Sequence, residues 1–176
     1  MFGRIQTVDN KVLYNISKIH KPALTKIMVT ASKLGNFGFV WWAICVPFFV
    51  VPEWRITGFS FVFALCFAHI WGEIIIKHIV KRTRPCHLLD DDEQIINKPR
   101  FYSFPSGHTT ASFAFVATAL VRCQPAVCLP IIVLAFTISF SRIYLRVHYL
   151  TDVVCGMLLG LTSGFVASAL FNYLFI

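Results

Sequence analysis

Long apolar segments separated by short polar stretches make up most of the chain after its first thirty or so residues. Each segment approaches the roughly 20 residues that a helix needs to cross a bilayer. The third and fourth are short, so we expect them to extend into the polar residues beside them. The pattern predicts five transmembrane helices, at about Leu34–Pro52, Ile56–Ile76, Ser106–Val121, Ala126–Phe140 and Val153–Ile176.

The N-terminal residues follow a different pattern. Apolar side chains recur there at helical spacing, with lysines between them. This predicts an amphipathic helix that either lies on anionic lipid or packs on the bundle. We therefore divide the chain into an interfacial segment, residues 1–33, and a transmembrane domain, residues 34–176. The expected fold class is all-α: a polytopic membrane helix bundle of about five spans plus an N-terminal amphipathic helix.

Composition supports the membrane assignment. Hydrophobic residues make up 57% of the 176 residues, charged residues only 14%, and the mean hydropathy is +0.70. Soluble domains carry about 25% charged residues, so an ordinary soluble protein is excluded. We attribute the net charge of +8 to contacts with lipid headgroups and phosphate, and expect no nucleic-acid partner.

Three polar segments, at residues 77–85, 105–108 and 141–152, contain most of the candidate chemistry. Fixed cations bind phosphate in pairs and triads, a histidine near a carboxylate can be an oriented nucleophile, and a second histidine can protonate a leaving oxygen. The segments therefore predict a phosphoryl-transfer site. Its phosphate-binding residues are Lys77, Arg84, Ser106, Gly107 and Arg142, and its catalytic residues are His108, His148 and Asp152.

Local geometry supports these assignments. Ser106, Gly107 and His108 begin a predicted span, so we expect free backbone N–H groups there to face an anion. His148 and Asp152 are four residues apart and share one helical face if the last helix starts early, so the carboxylate can orient the imidazole. The cations already supply the charge that a metal would bring, and we expect no metal or other cofactor.

Five spans place all three polar segments on one face of the membrane. The first follows the second span, the second opens the third span, and the third joins the fourth span to the fifth. The opposite face has only two short turns, which contain Arg55 and Arg122. The site face therefore holds the other 14 of the 16 Lys and Arg residues, and the positive-inside rule makes that face cytoplasmic.

The motifs resemble the signature of the type 2 phosphatidic acid phosphatase (PAP2) superfamily, which includes bacterial acid phosphatases and vanadium haloperoxidases. The matching residues are Lys77, Arg84 and Pro85, then Pro105, Ser106, Gly107 and His108, then Ser141, Arg142, His148 and Asp152. The resemblance implies that His148 becomes a phosphohistidine and that His108 protonates the leaving group. It also implies a bacterial plasma-membrane protein whose site faces outward. This orientation conflicts with the distribution of lysine and arginine, which predicts a cytoplasmic site.

The resemblance implies a phosphorylated membrane lipid as substrate. We lean to undecaprenyl pyrophosphate, because the chain is small and lacks an additional headgroup domain. Phosphatidylglycerophosphate, phosphatidic acid and lipid A 1-phosphate stay open. A non-catalytic phospholipid binder or transporter is the alternative of another class. A binder would need the cations but not the nucleophile.

Three further features lie near the motifs. Glu73 lies four residues before Lys77, and this spacing predicts a salt bridge that positions Lys77. A proton relay through Glu73 is the alternative. Acidic residues 90–93 predict a solvated loop, with headgroup selection or divalent-ion binding as the alternatives. Glycines 156, 160 and 164 predict close helix packing, either within the bundle or in a homodimer.

Overall fold

The computed structural model describes residues 2–89 and 94–176. Within them the chain forms helices joined by short turns and by a longer segment between residues 80 and 107, as expected for an all-α membrane bundle. The solvated acidic loop predicted at residues 90–93 lies outside the described residues. The helices are α1 (Phe2–Ser17), α2 (Pro22–Leu34), α3 (Phe39–Val50), α4 (Arg55–His69), α5 (Lys77–Val80), α6 (Gly107–Arg122), α7 (Pro125–Tyr144) and α8 (Leu150–Phe175).

Helix α4 continues into α5 through a π-helical segment, Ile70–Ile76. Such wide turns are rare and frequently occur at functional sites. The segment includes Glu73 and leads directly to Lys77 at the start of α5. Lys81 then adopts a left-handed conformation (φ 49°), which ends the helix and begins the linker that contains Arg84.

The apolar core lies between α3, α4, α6 and α7. Phe61 of α4 stacks on Phe115 of α6 with ring centroids 3.9 Å apart, and Trp41 of α3 packs against Phe115 at 4.9 Å. All three aromatic side chains are fully buried. Their burial brings α3, α4 and α6 together through aromatic packing.

Helices α6 and α8 approach each other closely through the predicted glycine stripe. A Cβ atom at Gly160 or Gly164 would lie 2.5 Å from a backbone oxygen of α6, and one at Gly156 would lie 2.9 Å from Ser106 O. The stripe therefore packs within the bundle, as the first of the two interpretations predicted. Because α6 covers these glycines, they give no support to the predicted homodimer.

The N-terminal segment differs from the single amphipathic helix expected. It forms two helices, α1 and α2, separated by a turn over residues 18–21. Thr25 of α2 hydrogen-bonds the Tyr144 hydroxyl at 2.9 Å, and the His20 ring hydrogen-bonds Tyr144 O at the same distance. The segment thus packs on the bundle, while its place at the lipid interface stays a prediction.

The helix bounds bear on the number of spans. Among the described residues, three segments are long and apolar enough to cross a membrane: Pro52–Leu88, Pro125–Tyr144 and Leu150–Phe175. Segments Pro22–Leu34 and Asn36–Val50, bent by 56°, qualify together as a fourth. Helix α7 extends into the polar residues after Phe140, as expected. Helix α6 has 16 residues and is about 24 Å long, so the count of five spans stays a prediction.

Candidate active site

The three polar segments meet at one end of the bundle. Arg84, in the linker after α5, donates from Nη1 to Val147 O at 3.0 Å and to His148 Nε2 at 2.9 Å, both in the loop between α7 and α8. The backbone N–H of Ser106, which caps α6, donates to Asp152 O at 3.0 Å. The structure therefore assembles a single site from residues that are up to 75 positions apart in sequence.

The contact with Arg84 defines the state of the His148 ring. A guanidinium has no acceptor, so Nε2 must accept with its lone pair and the ring proton lies on Nδ1. Nδ1 faces Asp152 Oδ2 at 3.5 Å, which is longer than an ordinary hydrogen bond. The lone pair of Nε2 thus points toward the cations, and the carboxylate lies on the opposite side of the ring.

The surroundings of His148 also favour its uncharged form. The residue is only 1% exposed. Burial, followed by the positive charges of Arg84, Arg142 and Lys77, lowers the pKa of His148 well below its usual value of 6.5. A neutral imidazole with an available lone pair is the form that can attack phosphorus.

Arg142, near the end of α7, is buried beside this ring. Its Nη1 donates to Ser32 Oγ of α2. Its Nε is buried and has no hydrogen-bond partner within residues 2–89 and 94–176. An unpaired guanidinium donor is costly in a buried position. A phosphoryl oxygen of the substrate would be a suitable acceptor for it.

Lys77 is also buried, and its ammonium group contacts Glu73 Oε1 at 2.5 Å. The predicted i, i+4 salt bridge is therefore confirmed. The Glu73 side chain also reaches the start of α6, because a Cβ atom on Gly107 would overlap its carboxylate. The absence of a side chain at Gly107 thus lets an anionic group approach the helix N-terminus.

The N-terminus of α6 differs from the expectation in one respect. The backbone N–H of Ser106 was predicted to be free for phosphate, but it donates to Asp152 O at 3.0 Å. Ser106 Oγ also accepts a hydrogen bond from Thr109 Oγ1 at 3.0 Å. Ser106 therefore ties α6 to α8 in this structure. Gly107 is the first residue of α6, and its role in phosphate binding stays a prediction.

His108 lies one residue further along α6 and is half-buried. Its Nε2 lies 3.0 Å from Asn36 Oδ1, in the bend between α2 and α3. It is also within electrostatic range of Arg142 and His148. The predicted proton donor thus belongs to the same site as the predicted nucleophile.

The sequence interpretation missed several residues that contact this site. Ser32 and Asn36 contact Arg142 and His108 as described above, while Arg82 and Asp9 bind each other and the start of α8. One signal was available, because Asp9 is the only acidic residue before Glu53. In the described part of the chain, no three His, Cys, Asp or Glu side chains are grouped as a metal site would require.

Comparison with known proteins finds relatives among the lipid phosphatases. The chain is 29% identical over 144 residues to an undecaprenyl-diphosphatase of Sulfolobus acidocaldarius, covering 82% of this chain and 69% of that protein. It is 31% identical over 151 residues to a decaprenylphosphoryl-5-phosphoribose phosphatase of Mycobacterium tuberculosis, covering 81% and 80%.

The fold also has a close counterpart among solved structures. The crystal structure of a PAP2-type phosphatidylglycerolphosphate phosphatase from Bacillus subtilis superimposes with a TM-score of 0.79. The superposition covers 97% of this chain and 88% of the Bacillus subtilis chain, and the two sequences are 24% identical. At this identity the likeness establishes the fold alone.

A helical membrane bundle with cations and histidines grouped at one end fits a membrane-bound phosphatase. The PAP2 superfamily profile matches residues 57–176, more than half of the chain. The protein therefore belongs to the PAP2 superfamily, among the membrane lipid phosphatases.

Proposed function

We propose that the protein hydrolyses a phosphomonoester or pyrophosphate of a membrane lipid through a phosphohistidine at His148. The observation that carries this proposal is the 2.9 Å contact between Arg84 Nη1 and His148 Nε2. In this contact the lone pair of His148 Nε2, the nucleophile we propose, lies beside a guanidinium that we expect to bind phosphate, and this supports the proposal. A protein that only bound phosphate would require the cations but not this arrangement.

The first step is attack of Nε2 on phosphorus. As the phosphoryl group enters, Arg84 transfers its hydrogen bond from Nε2 to a phosphoryl oxygen, and Arg142 and Lys77 neutralise the remaining equatorial charge. The bond from phosphorus to the leaving oxygen breaks, and His108 supplies the proton to that oxygen. Asp152 stabilises the positive charge that develops on the imidazole.

The second step is hydrolysis of the phosphohistidine. Water attacks phosphorus, its proton passes to His108, and the bond from Nε2 to phosphorus breaks. Inorganic phosphate leaves and His148 returns to its neutral form. The fixed cations stabilise both transition states, so the mechanism we propose is independent of metal ions.

For the substrate we favour a polyprenyl pyrophosphate, undecaprenyl pyrophosphate in particular. The first relative above is named for a diphosphate of the undecaprenyl lipid and the second for a phosphorylated decaprenyl lipid. Phosphatidylglycerophosphate is the second candidate, favoured by the function named for the structural counterpart. Phosphatidic acid and lipid A 1-phosphate stay as further alternatives.

The test is phosphate release by the purified full chain across a panel of these four lipids, with and without EDTA. We expect release from at least one lipid, unaffected by EDTA, and none from a His148→Gln variant. Binding of the lipids without release would support the non-catalytic binder or transporter. Loss of activity on chelation that Mg²⁺ restores would overturn the metal-free mechanism.

We further propose that the protein lies in a bacterial plasma membrane with the site facing outward. Cysteine labelling of spheroplasts in a background without native Cys tests this orientation. Asn97, in the loop between the first two motifs, and Gln124, between α6 and α7, are both exposed. We expect an impermeant maleimide to label Asn97→Cys and not Gln124→Cys. The reverse result would place the site in the cytoplasm.

A further inference from the structure

The guanidinium of Arg82 bridges the N-terminal helix and the start of α8. Its Nη1 donates to Asp152 Oδ1 and to Thr151 Oγ1, both at 2.7 Å. Its Nη2 donates to Asp9 Oδ2 at 2.7 Å and to Gln6 Oε1 at 2.8 Å. These four hydrogen bonds join α1 to α8, with one carboxylate on each side of the cation.

Asp9 is fully buried, which is unusual for a charged residue on a helix predicted to lie on a membrane surface. Its Oδ1 accepts from the Thr151 backbone N–H at 3.0 Å, and its Oδ2 accepts from Thr151 Oγ1 at 2.6 Å. Thr151 is in the first turn of α8, where backbone N–H groups lack helical partners and favour a negative charge. Asp9 therefore caps α8 from another helix.

The carboxylate of Asp152 is held from two sides. Oδ2 accepts from the Tyr149 backbone N–H at 2.9 Å and faces His148 Nδ1. Oδ1 accepts from Arg82, which also lies over the Tyr149 ring at 3.9 Å. With a separate donor on each oxygen, the carboxylate cannot rotate without breaking a charged hydrogen bond.

We propose that Arg82 and Asp9 are positioning residues for the nucleophile, and that they act through the carboxylate of Asp152. In this arrangement α1 is a structural part of the catalytic unit. Asp9 fixes Arg82 against α8, Arg82 fixes the rotation of Asp152, and Asp152 orients His148. The inference rests on the proposed function, because the proposed function assigns His148 and Asp152 their roles in the reaction.

The expected effect is on turnover more than on substrate binding. The imidazole gains positive charge as Nε2 bonds to phosphorus, so the position of Asp152 Oδ2 matters most in the transition state. A displacement of about 1 Å in such a group costs on the order of 10²-fold in rate. None of the hydrogen bonds of Arg82 and Asp9 described above goes to Lys77, Arg84 or Arg142, so ground-state binding of phosphate should change little.

The experiment compares Asp9→Asn, which keeps the shape of the side chain, with Lys11→Gln, which removes a charge from an exposed position of α1. Both changes are made in the parent and in an Asp152→Asn background, and kcat and KM are measured on the full chain. We expect Asp9→Asn to lower kcat about tenfold in the parent with KM within about threefold, and Lys11→Gln to change neither.

The Asp152→Asn background separates positioning from folding. If Asp9 acts through Asp152, then Asp9→Asn causes no further loss of kcat once Asp152 is replaced. The same fold loss in both backgrounds would overturn the inference, as would an unchanged kcat in the parent. An inactive parent would instead overturn the proposed function, and this inference with it.

Arg82→Lys provides a second variant if Asp9→Asn does not fold. It retains one positive charge, but a single ammonium group cannot donate to both carboxylates in the geometry of a planar guanidinium. We expect a larger loss of kcat than from Asp9→Asn, again absent in the Asp152→Asn background. Equal kcat values for Arg82→Lys and the parent would overturn the role of Arg82.

Discussion

Arg142→Lys should be a damaging substitution although it keeps the positive charge. Arg142 is buried, and its Nη1 bonds Ser32 Oγ of α2. Its Nε is left without a partner in the described part of the chain. Lysine would have to satisfy both Ser32 and a phosphoryl oxygen with one flexible ammonium group. A guanidinium presents separate donors in a fixed plane for these two tasks.

The magnitude follows from the loss of one directed donor. A hydrogen bond to a charged group contributes about 1.5–3 kcal/mol. Each 1.36 kcal/mol corresponds to a tenfold change in rate, so the loss is about 10- to 150-fold. Losing one preorganised donor at developing negative charge typically costs about 10²–10³-fold in kcat. We therefore expect kcat/KM to fall about 100-fold.

The assay is phosphate release from the preferred lipid by purified variants, with Lys81→Arg as the matched control. Lys81 is exposed, lies in the linker after α5 and is outside the predicted phosphate-binding set. Its exchange keeps the charge and should leave kcat/KM close to that of the parent. Equal effects of the two substitutions would show that the phosphate-binding cations have been assigned wrongly.

Three further predictions address the same site. Vanadate should inhibit at micromolar concentration, because a five-coordinate oxyanion bound to His148 imitates the transition state; inhibition only at millimolar concentration would contradict this. The acid limb of the kcat/KM profile should lie below pH 6.5, because burial and the nearby cations lower the pKa of His148 and protonation removes its lone pair. Lys77→Met should move that limb to higher pH, and an unchanged limb would argue against this assignment. Glu73→Gln should tighten vanadate binding by up to about fivefold. The Glu73 carboxylate contacts Lys77 and lies against Gly107, where we expect the oxyanion to bind, so its negative charge opposes that binding. Weaker vanadate binding by the variant would show that Glu73 serves only to position Lys77.

Much of the helical bundle was predictable because its signals are local. Long apolar runs require helices in lipid, since every backbone polar group must be satisfied within the segment. The spacing of Glu73 and Lys77 predicted their salt bridge, and the glycine stripe of α8 predicted close packing. The break between α1 and α2 and the 56° bend before α3 were not anticipated. Amphipathic periodicity continues across short turns and does not locate them.

The sequence by itself determined the class of chemistry, because Lys77, Arg84, Arg142 and the two histidines are residue types that phosphoryl transfer requires, arranged beside predicted membrane helices. Only the tertiary structure decided the support around them. The hydrogen bond from Arg82 to Asp9 joins residues 73 positions apart, and that from Arg142 to Ser32 spans 110 positions. Such contacts depend on how helix ends meet in space, and hydrophobic periodicity specifies which face of a helix is buried without specifying its partner.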